Sequence, residues 1–128
     1  MNFDLTEEQL MLQDTVGQAM QNECPVTHLR TIFDGDSGHD PVLWKTLAEL
    51  GVVGLAIPEE DGGAGLEILD LAVTAETLGY HAAPGPFLGH ALASLAIATG
   101  GSPAQKEKWL PGLASGGLIG SVALAEGG

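Results

Sequence analysis

The chain has 128 residues, of which 17 are Asp or Glu and only four are Lys or Arg, so its formal net charge is −13. That balance argues against nucleic acid and against an anionic membrane surface as partners, because both select clusters of Lys and Arg. Hydrophobic residues make up 45% of the chain, which excludes a disordered polypeptide, and the length fits one domain.

The cysteine content and the chain start both bear on location. Cys24 is the single cysteine, so an internal disulfide is impossible and a reducing compartment is expected. The first residues are acidic rather than basic, unlike a signal or transit peptide. The most apolar stretch, 86–98, is shorter than the ~20 residues that span a bilayer. These features predict a cytoplasmic protein.

The first predicted helix begins after Thr6, which forms a capping-box pattern with Gln9 three residues later. Apolar residues follow at helical spacing to about residue 23, and Pro25 ends the helix. Residues 31–40, rich in Gly and Asp, predict a solvated loop. A calcium loop is the alternative interpretation, but the ligand pattern of an EF-hand is missing.

Four more helices are predicted along the chain. Asp40 and Pro41 begin the second, which Gly51 ends. The third covers 66–78, the fourth 87–99, and the fifth begins after Ser102. Between the second and third lies the glycine-rich stretch 58–65. A phosphate-cradling loop is possible there, but the acids at 59–61 would repel an anion, so a tight structural loop is favoured.

The end of the chain departs from the helical pattern. Residues 118–125 predict a strand, yet no other segment predicts a partner for it, and a lone strand cannot satisfy its hydrogen bonds. The expected fold class is therefore all-α: an up-and-down bundle of about five helices, with one C-terminal strand that starts a missing β-domain. The predicted boundaries are 1–117 for the helical domain and 118–128 for the truncated β-domain.

Catalytic and metal-binding patterns are not found in the sequence. The four histidines are scattered, and no His/Cys cluster or nucleophile pattern is present. His90, in the apolar fourth helix, is the best candidate, although a hydrogen-bonded core histidine is the more common situation. Glu76, in the third helix, is a candidate buried carboxylate, with a solvent-facing carboxylate as the alternative. We therefore assign no catalytic residue and no metal.

In order and spacing, the segments resemble the N-terminal helical domain of the acyl-CoA dehydrogenase family over essentially the whole chain. The segments that carry the resemblance are 3–9 (FDLTEEQ), 43–51 (LWKTLAELG), 54–65 (GLAIPEEDGGAG), 75–79 (AETLG), 105–111 (QKEKWLP) and the glycines at 116–117. The resemblance implies a FAD-dependent oxidoreductase that introduces an α,β double bond into an acyl-CoA thioester. The chain alone would be inactive.

The resemblance also implies roles for particular residues. The wall of the acyl-chain pocket would come from the fourth helix, at Phe87, Leu88, Ala91 and Leu92. The first flavin-contacting segment would be Leu124, Ala125 and Glu126, although Ala125 lacks the hydroxyl usual there. FAD would be bound mostly by other parts of the protein. The implied partners are the acyl-CoA, the β- and C-terminal domains and, in the full-length protein, other subunits of a dimer or tetramer.

Two other functions stay open on the sequence. The altered segment at Ala125 is compatible with a non-catalytic helical partner subunit that docks on a flavoprotein dehydrogenase. A flavin oxidase or monooxygenase could also be built on the same scaffold, because a fold does not determine the reaction.

Overall fold

The computed structural model describes residues 3–125, which contain six α-helices and no strand. The helices are α1 (Glu7–Glu23), α2 (Val26–Phe33), α3 (Pro41–Glu49), α4 (Ile68–Tyr80), α5 (Phe87–Gly100) and α6 (Pro103–Ala114). Two short 3-10 turns, Val52–Gly54 and Glu59–Asp61, lie between α3 and α4. The predicted all-α fold class is confirmed.

The predicted helix starts after Thr6 and Ser102 are confirmed by their hydrogen bonds, whereas the helix predicted from 66 begins at Ile68. In α1 the Thr6 hydroxyl accepts from the Gln9 amide at 3.2 Å, and the Gln9 side chain accepts from the Thr6 amide at 3.0 Å. Ser102 and Gln105 repeat this capping box at the start of α6. Each cap satisfies amides that the first helical turn leaves without a partner.

Helix α2 was not predicted, and its last residues fall within the expected loop at 31–40. The helix has eight residues and a single buried side chain, Leu29. Val26, Leu29 and Phe33 do recur at helical spacing, but a helix of eight residues is stable only through packing, not through intrinsic propensity. Pro25, expected only to end α1, is also the N-cap of α2.

The strand predicted from residue 118 does not form among the described residues. The chain from 118 to 125 has no assigned secondary structure. The physical reason is that a strand needs a second strand to accept and donate its backbone hydrogen bonds. Residues 3–125 offer none, and Leu118 instead donates its amide to the Gly112 carbonyl at 2.9 Å.

The core consists of two clusters joined by the first 3-10 turn. The larger cluster lies between α1, α3 and α4 and includes Val16, Leu43 and Leu78. The smaller cluster packs α6 against the loop before α4, with Ile57 and Leu110 both fully buried. The turn Val52–Gly54 contacts α3, α5 and α6, so it connects the two clusters.

The glycine-rich loop is a tight structural loop, as the acids in it suggested. Its amides bond back to the preceding segment: Gly63 to Pro58 at 3.0 Å, Gly65 to Ile57 at 2.9 Å. A Cβ atom at Gly63 would overlap the carbonyl of Ile57. Glycine is needed there because two backbone segments run in direct contact. The loop contacts α6 through the 3-10 turn Glu59–Asp61, whereas α5 contacts the earlier turn Val52–Gly54.

Candidate functional site

Helix α5 carries all four residues predicted to form the acyl-chain wall, and the structure divides them between two faces. Phe87 and Ala91 are buried, with 9% and 5% of their surfaces exposed. Leu88 and Leu92 are 64% and 44% exposed. A spacing of four residues keeps side chains on one side of a helix, so each pair forms its own stripe. We call these the inner face (Phe87, His90, Ala91, Ser94) and the outer face (Leu88, Leu92, Ala96) of α5.

His90 is fully buried on the inner face and bonds to backbone at both ring nitrogens. Its Nε2 lies 3.2 Å from the Val53 carbonyl oxygen, and its Nδ1 lies 3.3 Å from the Gly120 amide nitrogen. Burial lowers the pKa of His90, and hydrogen bonding to the carbonyls of Val53 and Leu113 opposes this only in part. The ring is therefore neutral near pH 7, and it is the hydrogen-bonded core histidine that the sequence favoured.

Trp44 of α3 holds the chain that leaves α6. Its indole packs edge-on against the His90 ring, with centroids 5.0 Å apart. Its Nε1–H donates to the Gly116 carbonyl at 3.0 Å. Gly116 has φ +72°, and a Cβ there would lie 2.8 Å from the Ala48 Cβ. The exit segment, residues 116–121, is thus held from α3 at one end and from α5 at the other.

The segment predicted to contact flavin lies at the end of the described chain. Leu124 is 87% exposed and Ala125 is also exposed, while Glu126 lies outside the described residues. Two exposed residues without a hydroxyl do not enclose an isoalloxazine ring. The assignment of Leu124, Ala125 and Glu126 to flavin contact therefore stays a prediction.

The positive charges are also too dispersed for a phosphate-binding site. Arg30 lies on α2, Lys45 on α3, and Lys106 and Lys108 on α6. Lys45 is near Glu49, with Nζ 3.7 Å from the carboxylate, and Lys108 lies over the Trp109 ring at 4.5 Å. Phosphates are bound by several converging donors, which these four cations do not provide.

Glu76 is exposed on α4, so it is the solvent-facing carboxylate of the two alternatives. It borders an open groove of about 580 Å³ between α1 and the end of α4, together with Tyr80 and His81. No helix among residues 3–125 combines the length and hydrophobicity required to cross a bilayer.

A hydrogen-bonded pair between α2 and α3 was not predicted. The Nε2–H of His28 donates to Asp40 at 2.8 Å, while the other Asp40 oxygen caps α3 by accepting from the Val42 and Leu43 amides. Burial raises the pKa of Asp40, but these hydrogen bonds outweigh it and hold the pKa below its usual value. Only the folded α2 brings His28 to Asp40, so the sequence offered no signal for the pair.

Comparison with known proteins gives a consistent family. The family model described as "Acyl-CoA dehydrogenase, N-terminal domain" matches residues 6–117. The chain is 38% identical over 119 residues to acyl-CoA dehydrogenase IpdE2 of Mycolicibacterium smegmatis, covering 92% of this chain and 37% of that protein. It is 32% identical to mitochondrial isovaleryl-CoA dehydrogenase of Pongo abelii, covering 95% of this chain and 30% of that protein. The chain thus spans about a third of the length of these relatives.

Solved structures agree with this result. A variant of the Tcur3481-Tcur3483 steroid ACAD superposes with a TM-score of 0.88 at 38% identity, covering 95% of this chain and 34% of that one. The ChsE4-ChsE5 complex from Mycobacterium tuberculosis gives a TM-score of 0.86 at 29% identity, covering 93% of this chain and 33% of that one. The chain therefore belongs to the acyl-CoA dehydrogenase family and corresponds to its N-terminal helical domain.

Proposed function

We propose that residues 1–117 form the N-terminal domain of a FAD-dependent acyl-CoA dehydrogenase and that 118–128 begin its middle β-domain. The observation that carries the proposal is the exposed apolar outer face of α5, on a chain whose relatives are acyl-CoA dehydrogenases. Covering this face with an apolar partner removes it from water, which is favourable by roughly 25 cal/mol per Å² of buried surface.

The outer face of α5 would form one wall of the acyl-chain pocket, with Leu88 and Leu92 in contact with the substrate. Both side chains are aliphatic, and the surrounding helix bears no charged residue from Phe87 to Gly100. An acyl chain needs such a surface, because charged groups would have to be desolvated against it. Phe87 and Ala91 would act from beneath, by supporting the helix rather than by touching the substrate.

The other parts of the site would come from the rest of the protein. FAD, the catalytic base and the cations that bind CoA would be held mostly outside this chain, which spans about a third of the length of its relatives. The flavin supplies the electron acceptor for α,β-dehydrogenation, and this domain shapes the substrate pocket. We place the enzyme in fatty-acid metabolism in the cytoplasm, as a dimer or tetramer when full length.

The proposal is tested by adding acyl-CoAs to the purified full-length protein under anaerobic conditions. Butyryl-CoA, palmitoyl-CoA and a steroid side-chain CoA thioester provide three acyl shapes. We expect at least one of them to bleach the flavin absorbance and to yield the enoyl-CoA. A full-length protein that binds FAD but is bleached by none of them, while reacting with oxygen, would instead indicate a flavin oxidase or monooxygenase.

A second candidate is a non-catalytic partner subunit. Both structural neighbours above are named as pairs of proteins, and Ala125 lacks the hydroxyl expected of a flavin contact. This candidate predicts that the full-length protein purifies without FAD and that activity appears only with a second flavoprotein chain. Full-length protein that retains FAD and turns over acyl-CoA alone would exclude it.

A further inference from the structure

His90 joins three segments of backbone that are distant in sequence. The ring lies on α5, its Nε2 faces the carbonyl of Val53 in the first 3-10 turn, and its Nδ1 faces the amide of Gly120 in the exit segment. All of its surface is buried. A buried imidazole lowers the stability of the fold if either nitrogen lacks a hydrogen-bond partner. The two partners therefore determine which tautomer is present.

The two partners select one tautomer. A carbonyl only accepts and a backbone amide only donates, so Nε2 must bear the hydrogen and Nδ1 must present its lone pair. The opposite tautomer would place a hydrogen on Nδ1 facing the Gly120 amide, which is itself a donor. It would then leave the Val53 carbonyl and the Gly120 amide without the ring as a partner. The Nε2–H form is therefore the one that the fold stabilises.

The exit segment is seated closely on α5 at this point. A Cβ at Gly120 would lie 2.7 Å from the Ala93 Cβ, and a Cβ at Gly89 would lie 3.8 Å from the Gly120 carbonyl oxygen. Among residues 3–125, Gly120 is the last one to form a hydrogen bond with another described residue. The His90–Gly120 bond is thus the last hydrogen bond that fixes the exit segment to α5 among the described residues.

We propose that His90 is a positioning residue for the chain that leaves the helical domain. Its Nε2–H imidazole ties the exit segment to the 3-10 turn and fixes the point on α5 from which residues 121–125 depart. In the function proposed above, on which this consequence rests, residues 121–123 lead to the segment predicted to contact flavin, which begins at Leu124. His90 then sets the starting position of that segment without touching the cofactor.

The test uses this 128-residue chain, so its result does not depend on flavin or on any enzymatic activity. The first readout is NMR of the unmodified chain labelled with ¹⁵N. We expect the Nε2–H tautomer for His90 and a scalar coupling across the hydrogen bond between the Gly120 amide and Nδ1. An Nδ1–H tautomer, or no coupling at Gly120, would overturn the proposal even if no variant folds.

The second readout compares three variants by hydrogen exchange at the Gly120 amide. His90→Asn keeps an acceptor where Nδ1 lies, His90→Gln keeps a donor where Nε2 lies, and His90→Phe keeps only the ring volume. We expect exchange roughly fivefold faster in the Gln and Phe variants and near wild type in the Asn variant, since one net hydrogen bond is at stake. The Leu118 amide, bonded to Gly112, is the internal control. Equal acceleration in all three variants would indicate a packing role and overturn the proposal.

Discussion

The two faces of helix α5 have opposite surroundings. The inner face packs Phe87 into the larger core cluster and bonds His90 to two backbone segments. The outer face leaves Leu88 and Leu92 exposed. Both faces carry large apolar side chains, yet one contributes to the stability of this domain and the other would contribute to a pocket shared with a ligand. An apolar helix therefore does not reveal by its residues alone which side belongs to the core.

The largest expected change in the free energy of unfolding is at Phe87, and it should be absent at the adjacent residue Leu88. We expect Phe87→Ala to lower the free energy of unfolding by about 3–5 kcal/mol, because it leaves a cavity in the core. Leu88→Ala, one residue further, should change it by about 0.5 kcal/mol or less, since that side chain is already solvated. Urea denaturation of both variants measures the difference. Equal losses would mean that the two faces are not distinct.

The glycine-rich loop that packs on α6 should be nearly as sensitive to substitution as Phe87. We expect Gly63→Ala to cost about 1–3 kcal/mol, because the new methyl group overlaps the Ile57 carbonyl and the loop must shift. Gly79→Ala is the matched control, since a Cβ at that helical position meets nothing within 4 Å. It should be neutral or stabilising by up to about 1 kcal/mol. Thermal denaturation compares the two, and a mild Gly63→Ala variant would contradict the close backbone approach.

The buried histidine should make the inner face sensitive to pH. The pKa of His90 is lowered from 6.5 on folding, so the unfolded chain binds this proton more readily. Its contribution is fully present above about pH 6.5 and is lost as the pH falls toward the folded pKa, with a slope of at most about 1.4 kcal/mol per pH unit. His90→Asn should flatten this part of the profile measured by denaturant titration.

Asp40 provides a separate acid-sensitive group for the same pH titration. Its pKa is also lowered on folding, from 3.8, so its stabilising contribution is present above that value and lost only at lower pH. As the pH falls, the loss due to His90 should therefore begin at a higher pH than the loss due to Asp40. Acid destabilisation near pH 6 that is unchanged in His90→Asn would assign it to a group other than His90.

The smallest effect on stability is expected for substitutions on the outer face, which should instead change substrate binding. Leu92→Asn should change the free energy of unfolding by about 0.5 kcal/mol or less. In the full-length enzyme it should raise KM for palmitoyl-CoA several-fold, because a polar amide replaces part of the acyl wall. Leu10→Asn is a matched control, at 48% exposure against 44% for Leu92. Similar KM values for both variants would contradict the role of the outer face.

The sequence determined the parts of this protein that depend on neighbouring residues. Thr6 with Gln9 and Ser102 with Gln105 set the starts of α1 and α6, because capping involves residues three positions apart. The ordered segments also identified the family. The acids and glycines of 58–65 predicted a structural loop, since local repulsion and backbone freedom are readable in one stretch.

Tertiary structure determined the features that depend on contacts between residues distant in sequence. Helix α2 follows directly on the proline expected only to end α1 and forms by packing, and a strand at 118–125 has no partner among the described residues, so neither region has the predicted secondary structure. His90 meets Val53 and Gly120 across 37 and 30 residues, and no local pattern encodes that meeting. Helix α5 is apolar around most of its circumference, so only its neighbours in the fold could determine which stripe is buried and which is left for a ligand.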